Sequence, residues 1–187
     1  MLSRYSKLIS FLLVFFFCST LYAEDILIIH QGYGNTAAKH KNRLENAGHT
    51  VTMQNTSSSY SYTAANYDQV YDIRYSYTSY STADTDRFKT VLSNGGTVYL
   101  VGENGSFDSR NDAIVSFIRD VTGDNNIAHS GNSCCGSGGK YSMNENRDIL
   151  TNYSVSDDMT VVASGYFSNI GTNGKWLLKD PSDANKV

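Results

Sequence analysis

The sequence predicts a three-layer α/β sandwich built on a mostly parallel sheet. Two observations carry that prediction. Nearly continuous apolar runs recur at Asp25–His30 and Thr97–Val101, the pattern of strands buried on both faces rather than the alternation of half-exposed ones. Segments of helical period separate the strands, and the connections are short and glycine-rich, which is the spacing of βα units. There are no internal repeats.

Asp25–His30 is the first strand, and the turn Gln31-Gly32-Tyr33-Gly34-Asn35 follows it. A helix over residues 36–47 places Leu44 and Ala47 on one face. Gly48 supplies the left-handed residue that ends a helix at little cost. His49–Met53 alternates as a second strand, completing a βαβ unit. Residues 54–66 form a loop rich in Ser, Thr and Tyr. Asp68–Tyr75 is the third strand, carried by Val70, Tyr71 and Ile73. Ser81-Thr82-Ala83-Asp84 has the form of a capping box. It opens a helix with Phe88, Val91 and Leu92 as its buried stripe, ended by Asn94-Gly95-Gly96. Thr97–Val101 is the fourth strand, and a helix over residues 108–121 sets Ile114, Phe117, Ile118 and Val121 at helical spacing. Beyond Gly123 the pattern weakens. Residues 126–129 and 159–163 read as short strands, and residues 174–178 as a segment packed on the sheet. The sheet has room for one more strand, so the reading includes a chain truncated at its C-terminus.

The N-terminus has a different character. Arg4 and Lys7 precede an apolar run, Leu8–Cys18, broken only by Ser10, and Leu21-Tyr22-Ala23 ends on a small residue. That is the three-part order of a secretory signal, and it is too short for the roughly 20 apolar residues of a membrane span. Residues 1–23 are therefore expected to be cleaved. Residues 24–187 would then form a single exported domain, periplasmic or extracellular, with no stable membrane span. Removing Arg4 and Lys7 from the 15 basic residues leaves 13 against 18 acidic ones, a formal −5 in place of −3. No basic patch stands out, which argues against nucleic acid as a partner. The mature chain keeps two adjacent cysteines, Cys134 and Cys135. In an oxidising compartment they can form a vicinal disulfide, pair with another chain, or stay free. They lack the spacing of a metal site, so no metal is expected.

Ligands of open parallel sheets bind outside the carboxyl ends of the strands. The candidate binding residues are therefore His30 and Gln31, Arg74, Glu103 and Asn104, Ser106 in the same turn, and His129 with Ser130 after a later strand. The tyrosines at 60, 62, 67, 71, 75, 77 and 80 read as half-buried rings with wet hydroxyls, with a carbohydrate or partner platform as the sharper alternative. Asp108, Arg110, Asn111 and Asp112 read as the capped and solvated start of a helix. His40 and His49 read as an exposed helical position and a strand edge.

The turn Gly102-Glu103-Asn104-Gly105-Ser106 resembles the nucleophile elbow of class I glutamine amidotransferase-like proteins. Ile26–His30 and Leu44–Val51 are similar to the opening of such domains, so the resemblance covers residues 25–122. It implies a flavodoxin-like sheet. Catalytic members of that family present a cysteine on a strained turn. Asn104 stands at that position here, and an amide is no nucleophile. Together with the signal-like N-terminus, the resemblance implies an exported, non-catalytic domain that binds a small molecule, a glycan or a protein, without a cofactor. Two alternatives stand beside it. One is a secreted hydrolase using Ser106 or Glu103 with His129 or His30. The other is a module or fragment of a larger surface protein, with the tyrosine-rich segment as its contact.

Overall fold

The computed structural model describes residues 23–32, 34–56, 61–74, 79–102, 108–130, 139–143, 159–161, 166–174 and 178–179. Outside them lie residues 1–22 of the expected export signal, Tyr60, Tyr75 and Tyr77, the turn residues Glu103, Asn104 and Ser106, and Cys134 and Cys135.

β1 (Asp25–His30) is the centre of the molecule. Ile26, Leu27, Ile28 and Ile29 are all at 0% exposure, so both faces of the strand are covered. β2 (Thr50–Asn55) and β3 (Gln69–Asp72) flank it in parallel, and β4 (Thr97–Leu100) lies parallel to β3. The order β2-β1-β3-β4 matches the first four positions of a flavodoxin-like sheet.

Strand alternation divides the core in two. Ile26 and Ile28 face α1 (Gly34–Asn46), which contributes Ala37 and Leu44. Those residues are two helical turns apart and so lie on one stripe. Leu27 and Ile29 face the opposite layer, made by Phe88 and Val91 of α2 (Thr82–Ser93) and Phe117 of α3 (Asp108–Thr122). Helices on both faces make this an α/β sandwich. The rings of Phe88 and Phe117 meet edge to face at 5.5 Å, and Tyr80 packs edge-on against Phe88 at 5.4 Å. Tyr62 is buried in this layer, with Tyr67 and Tyr80 partly buried beside it; the Tyr62 and Tyr80 hydroxyls are shielded from solvent rather than wet.

Element ends have local causes. Gly48 takes the left-handed conformation (φ 96°) and donates its amide to Glu45 O at 2.9 Å, closing α1. The capping box is present at α2. Ser81 Oγ accepts from the Asp84 amide, and the Asp84 carboxylate accepts from the Ser81 amide. β3 is shorter than the sequence suggests. The Ile73 amide still bonds Ile29 O, but the Arg74 amide turns to the Asp72 side chain at 3.0 Å, and the ladder stops. β2 runs two residues further than expected, with Asn55 in register with His30. Gly96 lies against the neighbouring backbone. A Cβ there would fall 2.5 Å from Asp68 O and 2.8 Å from Val91 Cγ1.

The chain after α3 departs from the expected parallel pattern. β5 (Ala128–Ser130) pairs antiparallel with β8 (Tyr166–Asn169). β6 (Gly139–Met143) pairs antiparallel with β7 (Met159–Val161) and with β9 (Leu178–Lys179). Leu178 thus joins a small antiparallel sheet, in register with Met143. The reason is compositional. Ala128-His129-Ser130 is only half-buried along its length, whereas a strand added to a doubly covered parallel sheet needs apolar groups on both faces.

Phe88→Ala is expected to destabilise the domain by about 3–5 kcal/mol, through lost burial and a cavity between the two helices and the sheet. Gly96→Ala should cost about 1–3 kcal/mol by overpacking against fixed backbone. Urea unfolding followed by circular dichroism measures both.

Candidate functional site

The chain leaves β1 for one face of the sheet and β3 for the other, so the winding direction reverses between these two neighbouring strands. Such a reversal opens a crevice at the carboxyl ends of the strands. His30, the last residue of β1, borders it on one side, and Arg74, two residues beyond β3, on the other.

On the β3 side the floor is a buried charge network. Asp72 shares a face with Val70 and so points into the α2/α3 layer. A carboxylate there must be paired. Arg74 supplies a two-pronged match: Nε donates to Asp72 Oδ1 at 2.9 Å and NH2 to Oδ2 at 2.8 Å. Its NH2 also lies 3.5 Å from Asp84 Oδ1, and Arg110 NH2 lies 3.5 Å from Asp72 Oδ1. The Asp72, Arg74 and Arg110 side chains are at 0% exposure, and Asp84 is at 3%. Two carboxylates and two guanidiniums balance in charge. The network also reaches backbone. Arg110 Nε donates to Val101 O at 3.2 Å, just past β4. The second Asp84 oxygen accepts from the Ser81 amide and hydroxyl, so the α2 cap belongs to the same assembly. The Tyr80 ring lies under the Arg110 guanidinium at 4.9 Å and the Arg74 guanidinium at 5.9 Å, within cation–π range. Burial first, and then the Asp72 carboxylate, push the Tyr80 hydroxyl well above its ordinary value of 10.

On the β1 side the chemistry differs. His30 is 7% exposed and shares the α1 face with Ile26 and Ile28. Burial lowers its pKa below the ordinary 6.5, which favours a neutral imidazole at pH 7. Its backbone oxygen accepts from the Thr56 amide at 2.9 Å. Gln31 follows, half-buried. His30 and Arg74 thus approach the crevice from opposite faces of the sheet.

His129 and Ser130 lie inside β5, not beyond a strand end. Arg119 Nε donates to Ile127 O at 2.8 Å, and His129 Nε2 lies 2.8 Å from Asp112 Oδ1. β5 therefore climbs alongside α3 toward its first turns. Glu103, Asn104 and Ser106 fall outside the described residues. Beside them, Gly102 sits so close to Asn111 that a Cβ would come within 2.9 Å of its Oδ1.

Several residues of this assembly escape a reading of strand ends alone. Arg110 and Asn111, expected to solvate a helix start, are buried, because the first turn of α3 abuts the ends of β3 and β4. Asp72, Asp84 and Tyr80 complete the network, and Asp112 partners His129. One sequence signal does point to the network. Val70, Asp72 and Arg74 fall at alternate positions, so a buried face carries opposite charges two residues apart.

No family model matches the chain, and no curated protein or solved structure is found to be similar to it.

Because Asp72 and Asp84 are buried beside it, Arg74→Ala should cost about 3–5 kcal/mol by leaving carboxylates uncompensated, read as a lower urea midpoint. It therefore tests the fold before it tests any ligand. His30 gives a pH signature. Its folded pKa lies below its unfolded value, so the unfolded chain binds the proton more readily. The associated stability is present above about pH 6.5 and is lost as pH falls toward the lowered folded value. An NMR titration should place the His30 imidazole below 6.5.

Proposed function

We propose that the chain is an exported, non-catalytic binding domain of glutamine amidotransferase-like type. It holds a small molecule, a glycan or a protein partner along the carboxyl ends of its parallel strands. The observation that carries this reading is the reversal of winding between β1 and β3, with His30 and Gln31 on one side and the Asp72–Arg74 network on the other. Asn104 in place of a cysteine supports the non-catalytic part, and the signal-like N-terminus supports export.

A second reading is favoured by the His129–Asp112 contact at 2.8 Å. A histidine oriented by a carboxylate is the acid–base half of a hydrolytic triad, and Ser106 precedes the helix that carries Asp112.

One experiment separates the two. A ligand found by thermal-shift screening of the purified protein, since native-state binding raises apparent stability, should bind at least tenfold more weakly to Glu103→Ala and Asn104→Ala proteins of unchanged Tm. Unchanged affinity in both would remove the strand-end site. Turnover of chromogenic esters, lost in both Ser106→Ala and His129→Ala, would replace the binding reading with the hydrolase.

A further inference from the structure

Three polar features converge at the start of α1, and the charge network uses none of them. The first is His30. It lies on the α1 face of β1 at the end from which the chain passes to that helix, and only residues 31–33 separate it from Gly34. Its Nδ1 is shielded from solvent and has no hydrogen-bond partner among the described residues. A neutral imidazole carries one lone pair to be satisfied. The second is the Gln31 side-chain oxygen, likewise shielded and without a partner among the described residues.

The third is the helix end itself. The first four amides of any α-helix lack intrahelical acceptors and carry partial positive charge. The first turn of α2 contains Asp84 and that of α3 contains Asp108, but that of α1 contains no acid. Gly34, Asn35 and Thr36 are exposed, and a Cβ at Gly34 would meet nothing within 4 Å. The residues at this helix end are thus exposed, carry no acid in the first turn, and follow directly on two shielded polar atoms without a partner among the described residues.

We propose that the start of α1 binds a small oxyanion that also carries a hydroxyl, a hydroxycarboxylate or a phosphate. The anion lies on the amides of Gly34, Asn35 and Thr36, and the hydroxyl donates to His30 Nδ1 and Gln31 Oε1. Helix N-termini bind anions in this way. The two buried acceptors add selection for a ligand with a donor, because an analogue lacking it leaves them unsatisfied. This rests on the strand-end reading above and narrows it to the β1 side of the crevice.

The test uses the full mature protein with three probes, sodium glycolate, inorganic phosphate and sodium acetate, each against sodium chloride at matched ionic strength. Thermal unfolding and amide chemical shifts are the readouts. Glycolate, phosphate or both should raise Tm saturably and shift the amides of Gly34, Asn35 and Thr36, the tighter of the two naming the source. Acetate, which has no donor, should bind at least tenfold more weakly. Asn35→Asp discriminates a site from a merely structural helix end. An acid in the first turn favours the helix, so the unliganded Tm should rise or hold, while the anion response disappears. His30→Gln should weaken glycolate or phosphate at least tenfold. The proposal is overturned by responses no larger than those of chloride, by acetate matching the others, or by a response that survives Asn35→Asp. Shifts confined to Gly102 and Asn111 would also overturn it while leaving the strand-end reading in place.

Discussion

β1 sets the terms for everything around it. Four consecutive side chains at zero exposure require a layer on each face of the sheet and a strand on each side. Apolar surface left in water would cost about 25 cal/mol for every Å². The chain meets this by sending α1 to one face and α2 and α3 to the other. Helices on both faces force the winding to reverse somewhere, and it reverses beside β1. The crevice at the strand ends is therefore a geometric consequence of burying the central strand.

The two sides of that crevice solve the problem of polar groups at the end of an apolar sheet in opposite ways. On the β3 side, Asp72 gathers Arg74 and Arg110, and Arg74 links it to Asp84. One carboxylate thereby stops β3, ties the end of β4 through Arg110 and Val101, and fixes the cap of α2. Replacing such a buried network with apolar groups is often neutral for stability, but breaking it is costly. Its contribution here is to hold four elements, β3, the end of β4, α2 and α3, in one relative position. On the β1 side, His30 Nδ1 and Gln31 Oε1 are shielded and have no hydrogen-bond partner among the described residues.

The last third of the chain follows another rule. β5 to β9 pair antiparallel in two small sheets. β5 is joined to the rest through α3, by Arg119 to Ile127 O and Asp112 to His129. His129 thereby gains a carboxylate partner that no local pattern announces, since Asp112 is 17 residues away in sequence.

The sequence by itself determined the α/β alternation of residues 25–122, the parallel strands, and the caps at Ser81–Asp84 and Gly48. These follow from hydrophobic period, turn chemistry and capping, which act within a few residues. His30 and Arg74 were legible as strand-end residues for the same reason. Tertiary structure alone decided what those residues meet. The pairing of Asp72 with Arg110, the burial of Arg110 and Asn111, the Asp112–His129 contact and the diversion of β5 away from the parallel sheet all join segments distant in sequence. A buried charge is stable only where its partner arrives in space, and spacing along the chain does not encode that arrival.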